Sequence, residues 1–119
     1  MSYYLFLDDI RNPSDVLWVE LPRDQSYEVV RSYDEFVSYI VQNGLPSFVA
    51  FDHDLGDEYY EEDSDNVLEL SGYDFAKWLV EYCAEIGLMF PKYIVHSMNP
   101  IGRERIDAYI VNAKKHLNI

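Results

Sequence analysis

The chain has 119 residues, of which 49% are hydrophobic and 16% aromatic, enough to fill the core of one domain. Its formal net charge of -13 includes only nine Lys and Arg residues, which opposes non-specific binding to duplex DNA because each phosphate contact needs a cation. There is no apolar run long enough to cross a membrane and no basic leader before the first strand. We therefore expect a single cytoplasmic domain over residues 1–119.

The first predicted element is a strand at Tyr3–Leu7. This apolar run is too short for a helix, is rich in strand-forming residues, and ends at the acidic pair Asp8-Asp9. Pro13 then breaks the chain, and residues 15–25 favour no particular secondary structure. The pattern therefore predicts a buried strand followed by a connection of undefined form.

A second strand and the first helix follow. Tyr27–Arg31 predicts the strand, and Ser32 is typical of a helix N-cap, with Glu35 three residues later completing a capping box. The helix is predicted to end at Asn43-Gly44. Next comes a third strand, Phe48–Phe51, which again leads directly into carboxylates.

The third predicted strand is followed by Asp52-His53-Asp54 and then by an acidic insertion at residues 57–70. The insertion repels itself and holds few aliphatic side chains, which is typical of a solvated loop. Its position after the carboxylates leaves two other roles open. It could be a lid over a bound substrate, or a surface that contacts a basic protein partner.

The second half of the chain alternates helix, strand and helix. A helix is predicted from Ser71-Gly72 to about Gly87, with apolar residues at helical spacing and with Cys83 as a small core residue. A fourth strand, Tyr93–Val95, precedes a last helix at Gly102–Leu117. Alternating elements with continuously apolar strands predict an α/β domain. It would have an open parallel sheet of about four strands, helices on both faces and no clear fifth strand.

Polar residues follow three of the four predicted strands. Ligands of open parallel sheets bind beyond the carboxyl ends of the strands, so we expect Asp8, Asp9 and Asp52 to converge there, together with Asp54. Carboxylates about 4 Å apart repel by roughly 4 kcal/mol near a protein surface, and a cation would relieve that repulsion. Mg²⁺ is the expected metal because it prefers oxygen ligands, with Mn²⁺ or Ca²⁺ as alternatives. The competing interpretation is that these aspartates only terminate strands.

Three further strand-end residues are candidates for catalysis. His53 lies between two carboxylates that favour its protonated form, which suits a general acid. His96 suits acid–base chemistry or metal ligation, and Ser97 is a weaker candidate because no nucleophile elbow surrounds it. Each of the two histidines could instead have a purely structural role.

Two arginines are candidates for binding phosphate. Arg11 follows the first acidic pair, and Arg103 lies near the start of the last helix, where free backbone amides favour anions. Guanidinium groups bind phosphate oxygens in a bidentate manner. The alternative is that both arginines pair with surface acids.

Together these residues resemble a receiver-like, flavodoxin-like fold, and more specifically the cyclic-phosphate processing receiver domain family. The resemblance rests on FLDDIRNP, FDHDLG, SGYDFAKWL and HSMNPIGRERI, which occur in this order across almost the whole chain. It implies acidic site residues at Asp8, Asp9, Asp52 and Asp54, phosphate contacts at Arg11 and Arg103, and polar groups at His53, His96, Ser97 and Asn99. The chain departs from ordinary receivers in lacking a lysine after a fifth strand and in carrying the 57–70 insertion.

The leading hypothesis is a metal-dependent phosphoesterase of the cyclic phosphodiesterase type. Its substrate would be a phosphate-containing small molecule or an RNA end, with no membrane involved. One alternative is a non-enzymatic receiver that is phosphorylated on Asp52. A second alternative is a module that binds a nucleotide or a protein.

Overall fold

The computed structural model of the chain describes residues 3–52, 72–97 and 100–119. Every predicted strand and helix is present, with boundaries within two residues of those expected. The elements in chain order are β1 (Tyr4–Leu7), β2 (Tyr27–Val30), α1 (Tyr33–Asn43), β3 (Phe48–Phe51), α2 (Gly72–Ile86), β4 (Lys92–Val95) and α3 (Pro100–Leu117). The predictions for His53, Asp54, Asn99 and the 57–70 insertion concern positions outside the described residues.

The four strands form one parallel sheet in the order β2-β1-β3-β4. β1 and β3 are the central strands and are covered on both faces of the sheet. Their sequences are therefore continuously apolar and do not alternate between apolar and polar residues. The parallel four-stranded α/β fold is therefore confirmed, and the described residues contain no fifth strand. Because the chain moves from β1 to β2 in one direction and from β2 to β3 in the other, the strand order reverses at β1 and β3.

The prediction of helices on both faces of the sheet was wrong. All three α-helices of the described residues pack on one face, against Leu5, Leu7, Val49 and Phe51. Right-handed crossovers explain the position of α1 and α2, because the chain crosses the sheet in the same direction from β2 to β3 and from β3 to β4. α3 follows the last described strand and packs beside α2. The β1–β2 connection runs the opposite way and therefore covers the other face.

The second face is covered by the β1–β2 connection without an α-helix. A single 3-10 turn at Pro13–Asp15 is its only helical element, and it is followed by an irregular segment that buries Val16 and Leu21 against Phe6. Residues 15–25 gave no preference in sequence because prolines at positions 13 and 22 and several charged residues prevent a regular apolar period.

The helical face holds the larger core. Phe36 of α1 and Phe75 of α2 have ring centroids 3.9 Å apart, and Phe75 packs edge-on against Phe51 of the sheet. Cys83 is fully buried here, where desolvation raises the pKa of its thiol to about 11. Its predicted role as a small core residue is confirmed.

Local signals account for the helix ends. The Ser32 side chain accepts a hydrogen bond from the backbone N–H of Glu35, as predicted, whereas the Glu35 carboxylate accepts from Arg31 N rather than from the N-cap amide. α3 begins two residues earlier than predicted, at Pro100, because proline is well suited to the first turn of a helix. None of the described helices has the length and hydropathy needed to cross a bilayer.

Candidate functional site

Asp8, Asp52 and His96 form one row across the sheet, immediately after the last paired residues of β1, β3 and β4. The backbone ladder continues into this row: Asp52 N–H donates to Leu7 O at 3.1 Å and His96 N–H to Phe51 O at 2.9 Å. Side chains alternate between the faces of a sheet, so all three point to the face without helices. The row lies at the carboxyl edge, where the strand order reverses and open α/β sheets bind ligands.

Asp8 is fully buried and its carboxylate is surrounded by donors. Its Oδ1 accepts from the backbone amides of Ile10 at 3.0 Å and Arg11 at 2.9 Å, and its Oδ2 lies 2.8 Å from His96 Nε2. Burial alone would raise the pKa of Asp8, but the hydrogen bonds from His96 and from the two amides outweigh it and lower the pKa to about 2. Asp8 is therefore ionised at neutral pH and accepts a hydrogen bond from Nε2–H of His96.

The imidazole of His96 is held on several sides and is fully buried. Its ring stacks on Phe6, with centroids 4.6 Å apart and an interplanar angle of 8°. The indole Nε1–H of Trp18 donates to the His96 backbone carbonyl at 2.7 Å. The Nδ1 atom has no hydrogen-bond partner among the described residues. Nε2 is therefore the ring nitrogen that faces the carboxylates, and Nδ1 lies on the opposite side of the ring.

Arg11 lies over the two carboxylates of the row. Its Nη1 is 3.7 Å from Asp8 Oδ2 and 3.6 Å from Asp52 Oδ2, and its side chain keeps 30% of its surface exposed. The guanidinium carbon lies 5.1 Å from the centroid of the Trp18 ring, which is a cation–π distance. The cation is thus at the mouth of the site, with the acids beneath it.

Two residues that shape the site, Trp18 and Arg31, were not predicted from the sequence. Arg31, directly after β2, donates to the backbone carbonyls of Asp8 at 3.1 Å and Arg11 at 2.5 Å, and to Asn12 Oδ1 at 2.6 Å. It therefore fixes the loop that carries Arg11. A cation at a strand end was visible in the sequence, whereas Trp18 lies in the segment that gave no structural signal.

Other predicted site residues lie elsewhere. Asp9 is partly exposed, and its carboxylate is not part of the group of ligand atoms from Asp8, Asp52 and His96. Ser97 is buried, and its carbonyl accepts a hydrogen bond from Arg103 Nη1 at 3.1 Å. Arg103 lines a separate cleft of about 510 Å³ between β4 and α3, with Tyr93 among its walls. The structure shows no contact between Arg103 and the Asp8–Asp52–His96 row.

The row has the composition of a cation site. One carboxylate oxygen each from Asp8 and Asp52 and one ring nitrogen of His96 lie within 4.8 Å of one another, and all three residues are buried. Two buried carboxylates repel unless positive charge accompanies them, and a divalent ion would add such charge beside that of Arg11. The donor atoms and the charge therefore fit a divalent metal ion. Asp8 and Asp52 were predicted as ligands, and the third grouped residue is His96, whereas Asp9 had been predicted.

Comparison with known proteins identifies the family. The sequence model of the cyclic-phosphate processing receiver domain matches residues 3–112, nearly the whole chain. The chain belongs to this family. The resemblance drawn from the four motifs is confirmed, and so is the receiver-like fold. Searches among curated proteins and among solved structures gave no match.

The geometry shows where the motifs of this cyclic-phosphate processing receiver domain lie. FLDDIRNP supplies Asp8 and Arg11, and the beginnings of FDHDLG and HSMNPIGRERI supply Asp52 and His96. The three strings are far apart in sequence and meet at one edge of the sheet. Most of SGYDFAKWL belongs instead to α2, where Phe75 and Leu79 are buried in the core of the helical face.

Proposed function

We propose that this domain is a metal-dependent phosphoesterase that hydrolyses cyclic or terminal phosphates of nucleotides or RNA. The observation that carries the proposal is the row of Asp8, Asp52 and His96 beneath Arg11, a buried anionic group with a cation at its mouth. Membership of a cyclic-phosphate processing family supports the substrate class.

The three residues of the row would hold the metal. Asp8 and Asp52 offer oxygens and His96 a nitrogen, and the backbone amides of Ile10 and Arg11 keep Asp8 oriented and ionised. A bound divalent metal supplies Lewis acidity toward a phosphoryl oxygen and lowers the pKa of water. His96 has no exposed surface, so we assign it to the ligand set rather than to proton exchange with substrate.

Arg11 would bind the phosphate. Its guanidinium is partly exposed, and its contacts of 3.6–3.7 Å to Asp52 and Asp8 are long for ion pairs, so it can offer N–H groups to phosphate oxygens. Trp18 beneath it and the backbone carbonyl held by Arg31 restrict its movement. Such preorganisation favours the charge that develops on the phosphoryl group in the transition state.

The reaction consumes one water. Its hydroxide part forms the new bond to phosphorus, the ester P–O bond breaks, and the departing oxygen takes a proton. From the sequence, His53 or His96 is expected to supply that proton, and because we assign His96 to the ligand set, we propose His53 for this step. For a 2',3'-cyclic nucleotide the product is a monophosphate with one free ribose hydroxyl.

The proposal is tested by substituting the central aspartate. We expect Asp52→Asn to lower hydrolysis of 2',3'-cyclic nucleotides, assayed with Mn²⁺ or Mg²⁺, by about 100-fold or more. The variant should fold, because removing one of two neighbouring buried carboxylates relieves repulsion. Asp34→Asn, which makes the same charge change at an exposed position of α1, is the control and should retain activity.

The alternatives give different results in the same preparations. Wild-type protein that hydrolyses no member of a broad phosphate ester panel with any of the metals would contradict the proposal. A phosphoryl adduct seen by intact mass after incubation with a small phosphodonor, and lost in Asp52→Asn, would indicate a signalling receiver. Tight nucleotide binding by calorimetry without turnover would indicate a binding module.

A further inference from the structure

The donor set of the row decides which class of metal it selects, if a metal is bound as the proposed function requires. Mg²⁺ was expected from the sequence because it prefers the oxygen ligands that Asp8, Asp9 and Asp52 offer. In the structure an imidazole belongs to the group: His96 is fully buried there, with Nε2 2.8 Å from Asp8 Oδ2. A set with two carboxylates and one imidazole differs chemically from an all-oxygen set.

Nitrogen ligands change metal preference. Mg²⁺ strongly prefers oxygen ligands, usually carboxylates, phosphates and water, whereas imidazole suits first-row transition ions. Mn²⁺ accepts carboxylates as Mg²⁺ does, and Zn²⁺ and Fe²⁺ bind histidine and carboxylate together. An imidazole at this position therefore adds affinity for transition ions and little for Mg²⁺.

The orientation of His96 supports a ligand role. The stack on Phe6 fixes the plane of the ring, and Trp18 fixes the backbone of the same residue, so the imidazole is held before any metal arrives. The ring nitrogen that faces the carboxylates of the row is Nε2, 2.8 Å from Asp8 Oδ2. An ion held between the carboxylates and Nε2 would replace this hydrogen bond and leave the proton of the neutral imidazole on Nδ1.

We infer that His96 contributes a nitrogen ligand and that the site selects a first-row transition ion such as Mn²⁺ or Zn²⁺ over Mg²⁺. The opposing role for His96 is that of a hydrogen-bond donor that keeps Asp8 charged. In that case the loss of the imidazole would weaken Mg²⁺ and Mn²⁺ binding to the same extent.

The test compares Mn²⁺ with Mg²⁺ on the full chain, because both ions favour octahedral oxygen sites and differ in their affinity for nitrogen. Binding of Mn²⁺ to metal-free protein is followed by electron paramagnetic resonance, with Mg²⁺ as competitor. Pulsed measurements detect coupling to a ligand nitrogen, and ¹⁵N-histidine labelling of wild-type protein assigns that coupling to histidine without any substitution.

We expect histidine coupling in the wild type. His96→Gln, which keeps a side-chain donor for Asp8, should lower Mn²⁺ affinity about tenfold or more and Mg²⁺ affinity less than about threefold. His116→Gln, at an exposed position of α3, is the matched control and should behave as wild type. His53→Gln separates the two strand-end histidines, and coupling that persists in this variant supports His96.

Three results would overturn the inference: no histidine coupling in the labelled wild type, equal losses for both ions in His96→Gln, or coupling lost only in His53→Gln. The first result needs no variant, so misfolding of His96→Gln does not block the test. Failure of the proposed function is a separate outcome. If the protein shows nitrogen coupling and Mn²⁺ selectivity but no hydrolysis, the inference about His96 stands and the proposed function fails. If it hydrolyses the ester but shows no coupling, the proposed function stands and the inference fails.

Discussion

The two faces of the sheet are built differently. The helical face packs three amphipathic helices on aliphatic and aromatic side chains, and its buried residues are almost all apolar. The other face is covered by an irregular connection, and at its carboxyl edge it buries Asp8, Asp52 and His96. The contrast indicates that the helical face provides most of the stability, while the irregularly covered face provides the chemistry.

The irregular β1–β2 connection can bring several of its residues to the carboxyl edge of the sheet because its backbone does not run away from that edge as an α-helix. The turn after β1 directs two amides at Asp8 and returns Arg11 over the acids. The chain then places Trp18 against the end of β4. The two amides lie two and three residues after Asp8, as in a helix N-cap, but here the chain continues into the Trp18 segment without forming an α-helix.

The largest expected effect lies in the core of the helical face. Phe36→Ala should lower the free energy of unfolding by about 3–5 kcal/mol, because the ring is fully buried and a cavity would remain beside Phe75. Urea unfolding followed by circular dichroism measures the change. Val41→Ala, on the same helix with a side chain that is 56% exposed, should cost far less. Similar losses in the two variants would contradict the assignment of stability to this face.

Lowering the pH should reduce the free energy of unfolding, because it protonates the buried carboxylate of Asp8 on the other face of the sheet. The pKa of Asp8 lies near 2 in the folded protein and near 3.9 in an unfolded chain, so its contribution is complete above about pH 4 and is lost as the pH falls toward 2. The shift corresponds to about 2 kcal/mol. Metal-free Asp8→Asn should therefore lose less stability than wild type over this pH range, measured by urea unfolding. Equal acid sensitivity of the two proteins would show that Asp8 is not stabilised in its ionised form.

A smaller effect is expected at Trp18. Trp18→Phe keeps an aromatic ring for Arg11 but removes the indole N–H that donates to His96 O, which should cost about 1 kcal/mol. The neighbouring Leu17→Ala, at a side chain 82% exposed, should change stability by less than about 0.5 kcal/mol. Urea unfolding by circular dichroism compares them. A loss at Trp18 as large as that of Phe36→Ala would remove the distinction between the faces.

Much of the fold could be predicted because it depends on local patterns. Short apolar runs specified the strands, apolar residues at helical spacing specified the helices, and parallel pairing brings the residues after each strand to one edge. Asp8 and Asp52 were expected together for this reason, and the structure places them together beneath Arg11. The predicted roles of His53, Asp54 and Asn99 stay predictions.

The remaining features depend on relations that no local pattern contains. The common face of α1 and α2 follows from strand order and crossover handedness, and α3 packs beside α2 on that face. The contact of His96 with Asp8 joins residues 88 positions apart. The strand-end position of His96 suited acid–base chemistry, metal ligation and a structural role, and no local pattern named Asp8 as its partner. Trp18 and Arg31 act through backbone carbonyls, which carry no residue-specific signal.

Because the three residues of the row immediately follow their strands, the site depends on strand phase rather than on the length of the connections. Residues can be added between β1 and β3, or between β3 and β4, without moving Asp8, Asp52 or His96 within the row. If any of these strands slipped by one residue in its pairing, the row residue that follows that strand would point toward the helices. Metal binding at this row would therefore report that all three strands have paired in the correct register.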